Sequence, residues 1–155
     1  MPLKVNRLTR LADLLEGYSE RPGVPAFSLD SWSETQLQRR GMLWWAEQVQ
    51  CHTTACAVGL ACLTETFKDD GLTWYLSGTT IVPKYRAAEE WKAVQSFFGL
   101  SKRQAIKLFD GDDYDGPIHG PDAAKAVAAE IRKLIAAPVA ARPQVKKPKL
   151  TVVAA

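Results

Sequence analysis

The stretch "CHTTACAVGLACL", residues 51–63, decides how the chain is read. All three cysteines lie in it, together with one of the two histidines. From Thr54 onward, Cys56, Leu60, Leu63 and Phe67 fall on one helical stripe, and Ala55, Val58, Gly59 and Cys62 cover the side beside it. A helix apolar on nearly every side belongs inside a core. The spacing predicts a buried helix, capped by Thr53 or Thr54 and running to about Phe67. Cys56 and Cys62 then pack as small hydrophobes. A mid-helix glycine costs about 1 kcal/mol against alanine, so Gly59 implies that another element approaches closely there.

The same residues admit a chemical reading. A thiol in the first turn of a helix feels the positive end of the macrodipole, which favours thiolate. Cys51 and Cys56 are therefore the candidate nucleophiles of an enzyme, with His52 as the adjacent candidate base. His119 is the only other histidine, and a third orienting group is not visible. Zinc would want paired ligand spacings, and Cys51, His52, Cys56 and Cys62 do not supply them. A Cys51–Cys56 disulfide is geometrically conceivable if Cys51 folds back over the helix start. The core reading is favoured, and no cofactor or metal is expected.

Upstream of the cysteines, Leu8, Leu11, Leu14 and Leu15 mark a first helix, capped by Asn6 and stopped by Gly17. "SERPGVPAF" reads as a loop and "FSLDSW" as a short extended segment. Residues 33–50 show mixed periodicity. Downstream, "DDG" at 69–71 breaks the cysteine helix, and "LTWYLSGTTIV" reads as a hairpin about Ser77-Gly78, ended by Pro83. A helix follows over Ala87–Phe98, with Ala88, Trp91, Val94 and Phe98 on one stripe and Gly99 as its stop. Ser101 caps a short helix to Phe109. Pro121 opens a last one to about Ala137, with Ala124, Val127, Ile131, Leu134 and Ile135 inward.

The loop between those two helices, "DGDDYDGPIHG", invites a calcium reading. With Gly116 as the obligatory loop glycine, Asp113 and Asp115 fall at the third and fifth positions, but Gly111 falls where the first aspartate is needed. A turn-rich helix connection explains the composition as well.

The chain of 155 residues, 46% hydrophobic and 24% charged, has the size and composition of one globular domain. A formal net charge of +3 is too small to argue for nucleic acid by itself. "MPLKVNRLTRLADLLEG" has no continuous apolar region, so neither a secretory signal nor a membrane anchor is expected, and the cytoplasm is the expected compartment. From Pro138, "PVAARPQVKKPKLTVVAA" carries prolines and basic residues without an acid. It reads as a flexible tail that could hold acidic partners, nucleic acid included, non-specifically. Trp44 and Trp45 cannot both face inward from one helix. With Arg39 and Arg40 beside them, they form the candidate patch for a protein partner.

The pattern C-x-T-x-x-C-x-x-G-x-A, here Cys51, Thr53, Cys56, Gly59 and Ala61, resembles that of a family of small uncharacterised bacterial and phage-encoded proteins. Other segments agree in order: "LADLLE", "FSLDSW", "FFGLSKRQAIKLF" and "PDAAKAVAAEIRKLI". The family tends to have glycine where this chain has His52. The resemblance implies no catalytic residue. The expected fold class is mainly α (α+β), with about five helices and a small antiparallel β-hairpin near 72–82, in one domain over 1–137 followed by the tail 138–155. The expected function is a non-enzymatic protein-interaction or accessory protein of bacterial or phage type. The alternatives are a cysteine-dependent enzyme using Cys51 or Cys56, and a phage virion component ordered by its neighbours.

Overall fold

A computed structural model describes residues 1–21, 24–30, 32–35, 53–77 and 80–137. The first helix, α1 (Val5–Glu16), begins one residue before Asn6, with Lys4 at its cap position and no side-chain cap bond. Of its expected leucine stripe, Leu8, Leu11 and Leu15 are fully buried with Ala12 beside them, while Leu14 is half-buried. Behind it, the Tyr18 hydroxyl accepts from the Phe27 backbone N–H and donates to the Pro25 carbonyl, each at 2.8 Å. That bridge feeds the chain into β1 (Ala26–Phe27).

The cysteine stretch departs from the expected helix. Thr53–Ala55 is a strand, β3, rather than a helix cap. It pairs in parallel with β1 and antiparallel with β2 (Ser33–Thr35). β-Branched threonines suit an extended backbone as well as a cap, and the sheet decides between the two. Cys56 takes the cap position instead, and α2 (Ala57–Cys62) follows. The helix then breaks, because the Thr64 hydroxyl donates to the Leu60 carbonyl at 2.7 Å and Thr64 itself is extended. A separate short helix, α3 (Glu65–Asp69), carries the buried Phe67.

The expected hairpin is present as β4 (Leu72–Ser77) and β5 (Thr80–Tyr85), paired from Leu72↔Tyr85 to Ser77↔Thr80. The turn residues Gly78 and Thr79 lie outside the described residues. Pro83 does not end the strand. It pairs with Trp74, while on its other side β5 meets β2 only at Thr80 and β6 (Ala88–Glu89) only at Lys84 and Tyr85. Proline lacks an N–H, and here it occupies a stretch of strand with one neighbour among the described residues. The hairpin is thus part of a six-stranded mixed sheet of order β1-β3-β2-β5-β4, with β6 added to β5.

The expected helix over Ala87–Phe98 gives up its start to β6 and becomes α4 (Glu90–Phe98). Its buried face is Ala93, Val94, Phe97 and Phe98, while Trp91 is half-buried against Trp32, the ring centroids 4.5 Å apart. Gly99 stops it in the left-handed conformation, φ 69°. Ser101 caps α5 (Lys102–Phe109) with a full capping box to Gln104. The acidic loop forms a 3-10 turn, Gly111–Asp113, and α6 (Gly120–Ala136) closes the described chain. The fold is α+β, with six α-helices among the described residues rather than five.

One buried cluster joins α1, α2, α4, α5, α6 and the inner face of the sheet. Phe67, Phe97, Phe98 and Tyr85 meet edge to face at its centre. On the surface, Arg132 of α6 reaches Asp13 at 2.5 Å and Glu16 at 3.1 Å, fastening α1 to α6.

Candidate functional site

The described part of the cysteine motif, Thr53, Cys56, Gly59 and Ala61, is built into the fold. The Cys56 N–H donates to the Trp32 carbonyl at 3.1 Å, and the Cys56 sulfur accepts from the Gly59 N–H at 3.4 Å. That second bond is a helix cap made by sulfur in the role usually taken by a hydroxyl. Cys56 is 1% exposed, and burial pushes its thiol up to about 11 despite the backbone N–H groups that favour the anion. Cys62 is buried as well. Its thiol donates to the Thr73 carbonyl at 3.7 Å, and burial raises it further. Both thiols are free and stay protonated near neutral pH. Cys51 and His52 lie outside the described residues, as do Arg39, Arg40, Trp44, Trp45 and the tail from Pro138.

His119 stands far from a thiol-activating role in its bonding. It is exposed at the cap position of α6, its Nε2 is 3.4 Å from Asp30, and its backbone bridges to Ser28. The acidic loop is held by a local side-chain bond and by a neighbouring segment: the Asp110 carboxylate accepts from the Asp112 N–H at 3.1 Å, and the Leu29 N–H donates to the Ile118 carbonyl at 2.9 Å. Among the described residues, no group of three or more His, Cys, Asp or Glu side chains is placed to hold a metal ion. Trp74 and Trp91 are half-buried against the core.

A different place gathers the exposed chemistry. A cleft of about 940 Å³ opens between the start of α1 and the β5–β6 turn. Lys4, Arg7, Arg10 and Arg86 line it, with Asp70 as the only carboxylate among the described residues. Arg7 is anchored: its guanidinium donates to the Phe97 carbonyl at 2.9 Å, lies over the Phe97 ring at 4.2 Å, and has its Nε 3.5 Å from Asp70. Arg10 ion-pairs with the same carboxylate and faces the Phe67 ring. Hydrogen bonding from Arg10 holds the Asp70 carboxyl below its usual range, against partial desolvation, and the Arg7 charge adds to this. One carboxylate thus serves two guanidinia. Lys4 and Arg86 have no carboxylate partner among the described residues.

The backbone on the far rim is strained. Tyr85 pairs with Ala88, so Arg86 and Ala87 form a two-residue turn. Arg86 has φ 56°, a conformation such turns usually give to glycine. Glu90, just past β6, has φ 53°. The strand β6 is therefore bracketed by two non-glycine residues in the left-handed region. The Arg86 guanidinium lies 5.0 Å from the centre of the Tyr85 ring.

No sequence motif marks this cleft. Arg7 and Arg10 are three residues apart on a helix, a spacing that puts them on one face. Nothing local connects them to Asp70, read as part of a breaker, or to Arg86, which falls between the expected hairpin and the expected helix.

No helix among the described residues is long and apolar enough to cross a membrane. Comparison with models of known protein families, with curated proteins and with solved structures finds no match.

Proposed function

We propose that the protein is a non-enzymatic interaction or accessory protein of the bacterial or phage type that its cysteine motif resembles, and that it docks a protein partner at the cleft between α1 and the β5–β6 turn. One observation carries this reading. The two large apolar side chains that stand exposed among the described residues, Met1 at 81% and Val5 at 39%, both line the cleft that holds the four cations. Exposed apolar groups rimmed by charge are the mark of a contact surface. Within the motif, Cys56, Gly59 and Ala61 are buried and the Cys56 sulfur accepts from the Gly59 N–H, which supports a packing role for these three residues. A nucleophilic thiol needs access and a lowered pKa, and Cys56 has neither. Free thiols at Cys56 and Cys62 suit the reducing cytoplasm.

The test is affinity capture from the native host with the full chain, wild type against a Val5→Asp, Arg86→Glu double variant of unchanged thermal stability. The expected result is a partner enriched by the wild type and lost by the variant. A partner held equally by both would show that docking happens elsewhere.

A further inference from the structure

The composition of the cleft says what kind of segment it fits. We infer that it takes an acidic segment of the partner protein, one that carries apolar side chains beside its carboxylates. This rests on the docking reading above and deepens it.

Four cations face one carboxylate, and that carboxylate is already shared by Arg7 and Arg10. Arg86 and Lys4 stand on opposite walls with no acid of their own among the described residues. Guanidinium forks match carboxylates in a planar, two-bond geometry, so incoming Asp or Glu side chains complete the site.

The apolar argument selects among anions. Val5 and Met1 are exposed at the mouth, and Leu3 and Ala88 are half-buried in the wall. A free phosphate would meet the cations and leave this surface wet. A single-stranded nucleic acid would want an open aromatic face for base stacking. The ring at the cleft, Tyr85, is 7% exposed and lies against the guanidinia of Arg7 and Arg86. A purely apolar helix would desolvate the cations without pairing them, which is costly. An acidic and apolar peptide satisfies both halves of the surface.

The strained turn fits the same use. Arg86 holds a backbone conformation that glycine would adopt at lower cost, and the side chain it keeps is a guanidinium on the cleft rim. Strain of this kind is retained where the surroundings use the residue.

The experiment is a fluorescence-anisotropy titration of the full chain with a labelled peptide of alternating glutamate and leucine. Three comparison ligands run beside it: the same peptide with lysine for glutamate, the same with serine for leucine, and a single-stranded oligonucleotide of equal charge. The glutamate–leucine peptide is expected to saturate, and to weaken by roughly tenfold as salt is raised well above physiological strength, since exposed charge pairs are screened. Arg86→Glu is expected to weaken it by roughly tenfold or more, as reversing a contact charge does. Val5→Ser is expected to weaken it severalfold, with the melting curve unmoved in both variants. The assignment is overturned by absence of saturation up to about 1 mM peptide, by equal binding of the serine or lysine peptide, or by an oligonucleotide that binds more tightly with the same dependence on Arg86. If the captured partner is lost in Arg86→Glu while the peptide fails to bind, the docking surface stands and the acidic-segment assignment falls. If the partner is retained in Arg86→Glu, the surface itself is wrong.

Discussion

The backbone carbonyl of Trp32 occupies the space that a side chain at Gly59 would need. A Cβ built on Gly59 would lie 1.8 Å from the Trp32 oxygen. That oxygen also accepts the Cys56 N–H, so the cap of α2 and the close approach at Gly59 share one acceptor. In an open helix, Gly→Ala stabilises by about 1 kcal/mol. Here the sign reverses. Gly59→Ala must push the Trp32 backbone away and stretch the bond to Cys56. The expected cost is about 2 kcal/mol or more, as for overpacking in a core, read by denaturant unfolding. A neutral or stabilising result would show that Trp32 does not lie there in solution.

The two buried thiols make stability depend on pH at the alkaline end. Burial raises Cys56 to about 11 in the folded chain, above its ordinary value of 9.0. A raised thiol pKa means that the folded state holds its proton longer than the unfolded state. The contribution is full below the unfolded pKa and is lost as pH rises through the folded one. Unfolding free energy is expected to fall between about pH 9 and pH 11, and Cys56→Ser is expected to flatten that part of the curve. Alkylation of Cys56 near neutral pH is expected to require unfolding. Rapid modification of the native protein at Cys56 would show an accessible thiolate and return the enzyme alternative to the front.

What the sequence disclosed follows from how local each signal is. The Ser101 cap of α5 and the leucine stripe of α1 each lie within one element; the cap is found as read, and three of the four stripe leucines are buried. Gly59 as a point of close approach was also legible, since a mid-helix glycine needs a reason. The thiols were read as core groups, and Cys56 and Cys62 are buried. The sheet was not legible. β1 and β3 are two and three residues long, too short for an alternating pattern, and their parallel pairing joins Ala26 to Thr54 across the chain. Thr53 and Thr54 serve equally as helix caps and as strand residues, and only the neighbours β1 and β2 select between these. The cleft was illegible for the same reason. Arg7 on α1, Asp70 at the end of α3 and Arg86 in the β5–β6 turn are brought together by tertiary packing, not by spacing.

Gly99 ties the N-terminal wall of the cleft to the core. Its φ of 69° is left-handed, and a Cβ there would lie 2.1 Å from the Pro2 carbonyl oxygen and 2.9 Å from the Lys4 nitrogen. The Lys4 N–H itself donates to the Phe98 carbonyl at 2.9 Å. Gly99→Ala therefore adds backbone strain and displaces the segment that carries Leu3 and Lys4. A loss of about 2 kcal/mol or more is expected, with weaker binding of the acidic peptide. Gly17→Ala is the control, because its φ is −83° and its nearest contact, the Asp13 oxygen, is 3.4 Å away. Equal effects of the two substitutions would sink the argument from Pro2.

Arg86 separates strain from binding. Arg86→Ala and Arg86→Gly both remove the guanidinium from the rim and from the Tyr85 ring, so both are expected to lose the acidic peptide to the same extent. Their stabilities are expected to differ. Alanine keeps a Cβ in the left-handed conformation at φ 56°, whereas glycine adopts it freely. Left-handed backbone costs an ordinary residue about 1–2 kcal/mol, and the greater freedom of glycine in the unfolded chain returns about half of that. Arg86→Gly should then exceed Arg86→Ala by roughly 1 kcal/mol, about 2–4 °C in a chain of this size. Paired denaturant melts of the two variants measure the difference directly. A glycine variant less stable than the alanine variant would mean that the turn between Tyr85 and Ala88 does not hold a positive φ at Arg86, and the strain argument for the rim would fail while the charge argument for the cleft would stand on Lys4, Arg7 and Arg10.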